Sequence, residues 1–120
     1  MVNTARDLAR LMKVLSADAR VRIVQLLKER PLCVNALAAR LGVTQGAVSQ
    51  HLRIMRDAGL VVDEKHGYFT HYRLNQETLA AWREVIDELL DSPEAGADTK
   101  GALPCAAVTR RTRAARSQRT

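Results

Sequence analysis

The run TQGAVSQHLRIMRDAG, residues 44 to 59, decides the architecture of this chain. Thr44 carries a hydroxyl that can accept from the free N–H groups at the start of a helix, and Gly59 supplies the left-handed residue that ends one. On a helical wheel of about 100° per residue with Val48 at zero, Ala47, His51, Leu52, Ile54, Met55 and Ala58 share one contiguous arc. Gln45, Gly46, Ser49, Gln50, Arg53, Arg56 and Asp57 occupy the other. The second arc has the chemistry of a major-groove surface. Glutamine can bond an adenine edge through both ends of its amide, arginine forks onto guanine or a phosphate, and serine bonds either. Any surface helix turns polar residues outward, so the neighbours of this run have to decide the matter.

On its N-terminal side, Val34 to Leu41 reads as a short helix with Leu37, Ala38 and Leu41 on one side, closed by Gly42. On its C-terminal side the hydrophobic period changes from helical to twofold. Leu60 to Lys65, a turn at His66-Gly67, and Phe69 to Leu74 form an expected β-hairpin. Helix, tight turn, helix and hairpin, in that order, make a winged helix-turn-helix, a mainly α fold in which the hairpin is the wing. Lys65, His66 and Arg73 lie on or near that wing, within reach of a phosphate or a minor groove if the helix lies on DNA.

Further out, Thr4 can cap a first helix carrying Leu8, Leu11, Met12 and Leu15, and Ser16 to Asp18 form a turn and a new cap. A second helix then runs to about Lys28 with Val21, Ile23, Val24 and Leu27 inward, before Pro31 stops it. Asn75 can cap a long last helix in which Leu79, Trp82, Ile86 and Leu89 recur at spacings of three and four. Such a terminal seam needs another helix to cover it. Residues 1 to 91 are therefore expected to form one DNA-binding and dimerisation domain. From Ser92 onward, Pro93, Gly96, Gly101 and Pro104 break every period, so residues 92 to 120 read as a disordered basic tail.

Composition narrows the classes. With 120 residues and 47% hydrophobic residues, the chain has the balance of one globular domain, small enough to gain from pairing with a second copy. No run of about 18 apolar residues could cross a bilayer, and Met1 to Arg10 lacks a signal-peptide core, so a cytoplasmic location without membrane contact is expected. The net charge of +6 is uneven: residues 92 to 120 hold six Lys or Arg against two acids. Basicity favours a polyanion without naming it. No nucleophile sits beside a base at usable spacing, no glycine-rich phosphate loop occurs, and no metal motif is complete, so an enzyme is not expected.

With these residues in view, the chain resembles the ArsR/SmtB family of winged-helix repressors over about residues 5 to 91. The resemblance is carried by VLSADARVRI (14 to 23), LCVNALAARLGVTQGAVSQHLRIMRDAGLV (32 to 61) and GYFTHYRL (67 to 74). It implies a homodimer built on the first and last helices, with Leu8, Leu11, Leu79, Trp82, Ile86 and Leu89 at the interface. It also implies a repressor released from its operator by an inducer, which for many relatives is a metal ion or metalloid. Two recognition helices about one duplex turn apart would read double-stranded DNA at an imperfect inverted repeat. Gln45, Ser49, Gln50 and Arg53 would then meet bases, with Thr44, Arg56 and the wing on the backbone.

The match to a sensing site is incomplete. Arsenic, cadmium and lead sensors of the family begin the third helix with Cys-Val-Cys, where this chain has Cys33-Val34-Asn35. The zinc-type ligands of the last helix are missing too, since residues 79 to 90 hold no histidine. Arsenite or another soft ion wants about three thiolates, so Cys33 would need Cys105 and the second subunit. Equally, a Cys between Leu32 and Val34 can serve as a small buried hydrophobe. His51 falls at the edge of the packed arc and reads as packing, and His66 and His71 are too few for a metal cluster. The other class left open is a winged-helix protein-interaction module without specific DNA binding.

Overall fold

The structure, a computed structural model, describes residues 5 to 93. Its elements are α1 (Ala5–Val14), α2 (Asp18–Leu27), β1 (Leu32–Cys33), α3 (Val34–Leu41), α4 (Gln45–Asp57), β2 (Val61–His66), β3 (Phe69–Leu74) and α5 (Gln76–Leu90). This is the expected winged helix-turn-helix order, with one addition. The expectations for Thr4, Cys105 and the tail beyond residue 93 lie outside the described residues.

The joint between α3 and α4 forms as its residues dictate. Gly42 adopts φ 71° and donates its N–H to the Ala38 carbonyl at 2.9 Å, ending α3. Thr44 then caps α4, its Oγ1 accepting the Ala47 N–H at 3.1 Å. At the far end of α4, Gly59 (φ 76°) donates to the Arg56 carbonyl and Leu60 to the Met55 carbonyl, each at 2.9 Å. These two bonds are a Schellman ending, and the side chains it brings together, Met55 and Leu60, are both fully buried. A side chain at residue 59 would be strained by its positive φ, so this stop depends on glycine.

The most buried side chains are Ile23, Leu37, Val48, Leu52, Met55 and Leu60, from α2, α3, α4 and the lead into β2. The core is thus built around α4, whose buried stripe of Val48, Leu52 and Met55 fixes which face turns outward. Ile54 and Ala58, expected on the packed arc, are exposed, Ile54 by 40%. They lie at the edges of that arc, and α2 and α3 are too narrow a surface to cover it all. Val21 is likewise exposed rather than inward, because Ile23 and Leu27 carry the inner face of α2. The turn before α2 has no side-chain cap: Ala17 occupies the cap position, and the Ser16 hydroxyl donates backward to the Lys13 carbonyl at 2.7 Å.

A polar tie joins three helices. Arg20 of α2 donates through Nε to the Val14 carbonyl at 2.5 Å and through Nη2 to the Lys13 carbonyl at 3.5 Å, at the end of α1. Its Nη1 lies 3.2 Å from Nδ1 of His51 on α4. A guanidinium has only donors, so Nδ1 is the acceptor and the imidazole proton sits on Nε2. His51 is half-buried and held as a structural residue. Replacing Arg20 by alanine is expected to cost about 2 kcal/mol in urea unfolding, because charge-assisted bonds to carbonyls are lost together. Lysine should restore little of it, having no fork. Wild-type stability in Arg20→Ala would remove this role.

β1, β3 and β2 form an antiparallel sheet in that order. Leu32 pairs with Tyr72 and Cys33 with His71, while β2 and β3 pair from Val61↔Leu74 out to His66↔Phe69. Leu32, Val61 and Leu74 face the core. The pairing of His66 with Phe69 leaves Gly67-Tyr68 as the loop, one residue later than expected. Gly67 has φ 66° and Tyr68 after it does not have a positive φ, the pattern of a type II′ turn. Asn75 caps α5 as expected, Oδ1 accepting from Glu77 at 3.1 Å and Thr78 at 3.4 Å. Its own N–H bonds the Leu60 carbonyl at 2.8 Å. Among the described residues, no helix is long and apolar enough to cross a membrane.

Candidate nucleic-acid interface

With Val48, Leu52 and Met55 turned inward, the opposite face of α4 carries Gln45, Ser49, Gln50, Arg53 and Arg56, all exposed. Thr44 is exposed as well, with its hydroxyl committed to the cap. The polar arc inferred from the wheel is therefore one surface, presented by a helix whose back is locked in the core. Ser49, Arg53 and Arg56 line a cleft of about 170 Å³ together with Tyr72 of β3, so the helix face and the sheet adjoin.

The wing's cations differ in their engagement. Arg56 donates to Asp63 of β2 at 3.5 Å, and Arg73 is bonded to Glu64. Both pairs are half-exposed, where such bonds are worth about 0 to 1 kcal/mol, so a phosphate could displace either carboxylate. Lys65 forms no ion pair among the described residues. His66 stacks edge-on against His71, ring centroids 4.9 Å apart, with its Nε2 4.0 Å from Glu64. Nδ1 of His71 is buried with no hydrogen-bond partner among the described residues.

Cys33, a free and half-buried thiol, occupies the N-cap position of α3 and pairs across the sheet with His71. Among the described residues, no group of three or more His, Cys, Asp or Glu is arranged to hold a metal ion. The single described thiol does not fit the three-thiolate preference of a soft ion.

Two of the residues assigned to a dimer seam serve the protomer instead. Leu11 is 2% and Trp82 6% exposed, both within the core cluster. They are the inner half of stripes that helical spacing alone could not split. Leu8, Leu79 and Ile86 are half-buried, and Leu89 and its neighbour Leu90 are exposed. A groove of about 590 Å³ runs between α2 and α5, lined by Leu15, Val24, Leu79 and Ile86 with Lys28 and Arg83 among the polar residues.

A buried-backed polar helix at the second position of a helix-turn-helix, flanked by a β-hairpin wing carrying Lys65 and Arg73, defines a winged helix-turn-helix DNA-binding domain. Residues 18 to 62 match the model of the arsR family of bacterial regulatory proteins. The arsenical resistance operon repressor of Escherichia coli is 40% identical over 79 residues, covering 65% of this chain and 68% of that one. The transcriptional repressor SmtB of Mycobacterium tuberculosis is 43% identical over 70 residues, 58% of this chain and 52% of its own length. A homodimeric winged helix-turn-helix DNA-binding domain from Mycobacterium bovis superposes with a TM-score of 0.57 at 28% identity, covering 69% of this chain and 81% of that one. The chain belongs to the ArsR family: it is a DNA-binding transcriptional regulator and not an enzyme.

The sequence reading missed Tyr68 and Phe69 at the wing tip and the Arg20–His51 tie. A tyrosine in the second position of a two-residue hairpin loop was the signal available for the first.

Proposed function

We propose that this regulator is a homodimeric repressor that holds an imperfect inverted repeat in double-stranded DNA and is released by an inducer. The carrying observation is the outward face of α4, where Gln45, Ser49, Gln50 and Arg53 are exposed opposite a fully buried stripe. Those four meet base edges in the major groove. Thr44, Arg56, Lys65, His66 and Arg73 meet the backbone. The exposed Leu89 and Leu90, with Leu8, Leu79 and Ile86 beside them, support pairing through α1 and α5. The Mycobacterium bovis neighbour is a homodimer, which agrees with that reading.

The name of the Escherichia coli relative, a repressor of an arsenical resistance operon, supports arsenite or another soft ion as the inducer class. Cys33 is the thiol within the described residues that such an ion would use, with Cys105 as its companion from the tail. Release without either thiol would require a different inducer class.

The test is fluorescence anisotropy of duplexes from the protein's own promoter region at two salt concentrations, followed by arsenite, cadmium, zinc and a persulfide donor. The expected result is tight binding that falls steeply with salt, by about 10³-fold or more between 50 and 200 mM, as several phosphates are neutralised. Reversal by arsenite or cadmium, lost in Cys33→Ser, is expected for thiol sensing. Unchanged release in Cys33→Ser would leave Cys33 as packing. Weak binding with a shallow salt slope would instead favour a protein-interaction module.

A further inference from the structure

The wing tip carries two aromatic rings in water. Tyr68 is fully exposed (103%) and the adjacent Phe69 is 57% exposed. Tyr68 is covered by no described neighbour, and more than half of the Phe69 surface is in water. A type II′ turn asks for glycine at its first position, which Gly67 fills, and leaves the second open to most residues. Rings of this size normally contribute about 150 to 250 Å² each to a core or an interface. The other strongly exposed apolar residues, Leu89 and Leu90, belong to the α5 seam assigned above to a second subunit.

Charge along the wing is graded. At its base Asp63 is matched by Arg56 and Glu64 by Arg73, so the base is close to neutral. Lys65 follows with no ion pair among the described residues, and His66 stands beside it, just before the turn. The tip is therefore apolar at its end and cationic just behind. Six residues of β2 span about 20 Å, longer than the major groove's width of about 12 Å. A hairpin rooted at the end of α4 can thus reach past the groove in which α4 would lie. The nearest surface that combines phosphates with apolar faces is the adjoining minor groove, where an opened step exposes the faces of its bases.

Apolar side chains that enter a minor groove slip between base pairs, unstack one step and bend the duplex. We propose that Tyr68 and Phe69 form such a wedge, with Lys65 and His66 on the flanking phosphates. The operator is then read partly by how easily a step beside each half-site opens. TA and CA steps yield at least cost, so they are the expected sequence preference at positions α4 never touches. This rests on the DNA-binding reading of α4.

The experiment starts with the full chain selecting duplexes from a pool with a randomised centre, followed by anisotropy and end-to-end energy transfer on the selected duplexes. Wild type should bend them and enrich TA or CA at a fixed distance from the half-site. The Tyr68→Ala/Phe69→Ala variant should lose the bend and about 10- to 100-fold in affinity, the scale of ring stacking on bases. Its salt slope should stay unchanged because no phosphate contact is removed. Tyr68→Phe should behave as wild type in binding and unfolding, and the double variant should stay folded with only a small loss of stability, since Tyr68 is in water and Phe69 is partly covered. Unchanged affinity and bending in the double variant would overturn the wedge and leave the tip to a protein partner. Failure of the wild type to enrich any duplex would overturn the DNA reading and the wedge with it, before a variant is made.

Discussion

Alanine at Arg53 is expected to weaken specific duplex binding by roughly 30-fold to more than 10,000-fold and to relax sequence preference at one position of each half-site. A well-placed arginine fork on guanine discriminates by about 1 to 3 kcal/mol, and a twofold-symmetric dimer loses it twice. Arg53 suits this role because it is exposed at the middle of α4's outer face and, unlike Arg56, forms no ion pair with β2. The measurement is anisotropy on the selected operator and on single-position variants of it. The salt slope should change little, since a base contact and not a phosphate contact is removed. If affinity and base preference both survive, the reading face is elsewhere. If affinity falls equally on every duplex while the slope flattens, Arg53 is a phosphate anchor and Gln50 becomes the leading base contact.

The second large effect concerns the residue before it. Leu52→Ala is expected to cost about 2 to 5 kcal/mol of stability, because Leu52 is almost wholly buried between α2, α3 and α4 and truncation leaves a cavity. Ile54→Ala, two residues on, should cost about 1 kcal/mol or less, since that side chain is 40% exposed and its truncation leaves no enclosed cavity. Urea unfolding of the two variants gives the contrast directly. Equal losses would mean that α4 is rotated from the orientation described, which would also move Arg53 off the outer face. The pair of measurements therefore tests the geometry on which the first prediction depends.

What the sequence disclosed follows from how local each signal is. Thr44, Gly42, Gly59 and Asn75 act on backbone groups within four residues, and each forms the cap or stop its chemistry implies. The outer face of α4 was legible for the same reason: five polar side chains fall within about 140° of the wheel. β1 was not, because two residues, Leu32 and Cys33, carry no period and pair only once β3 has arrived. The edges of buried arcs at Val21 and Ile54 depend on how wide the covering helix is, which periodicity does not encode. Leu11 and Trp82 show the limit most clearly. A stripe of leucines and a tryptophan says that a face is covered, and only the packed chain says whether the cover is its own core or a second copy. Arg20 reaches 31 positions along the chain to His51, a contact beyond any local rule.

The junction at Leu60 has a mechanical consequence. Its N–H closes the end of α4, its side chain is fully buried, and its carbonyl holds Asn75, the residue that starts α5. One residue thus ties together the reading helix, the root of the wing and the first turn of the terminal helix. In a dimer joined through α5, this junction would couple a tilt at the subunit seam to the spacing between the two reading heads. Sensing chemistry can then sit anywhere along that seam, and be exchanged for another in evolution, without redesign of the part that touches DNA.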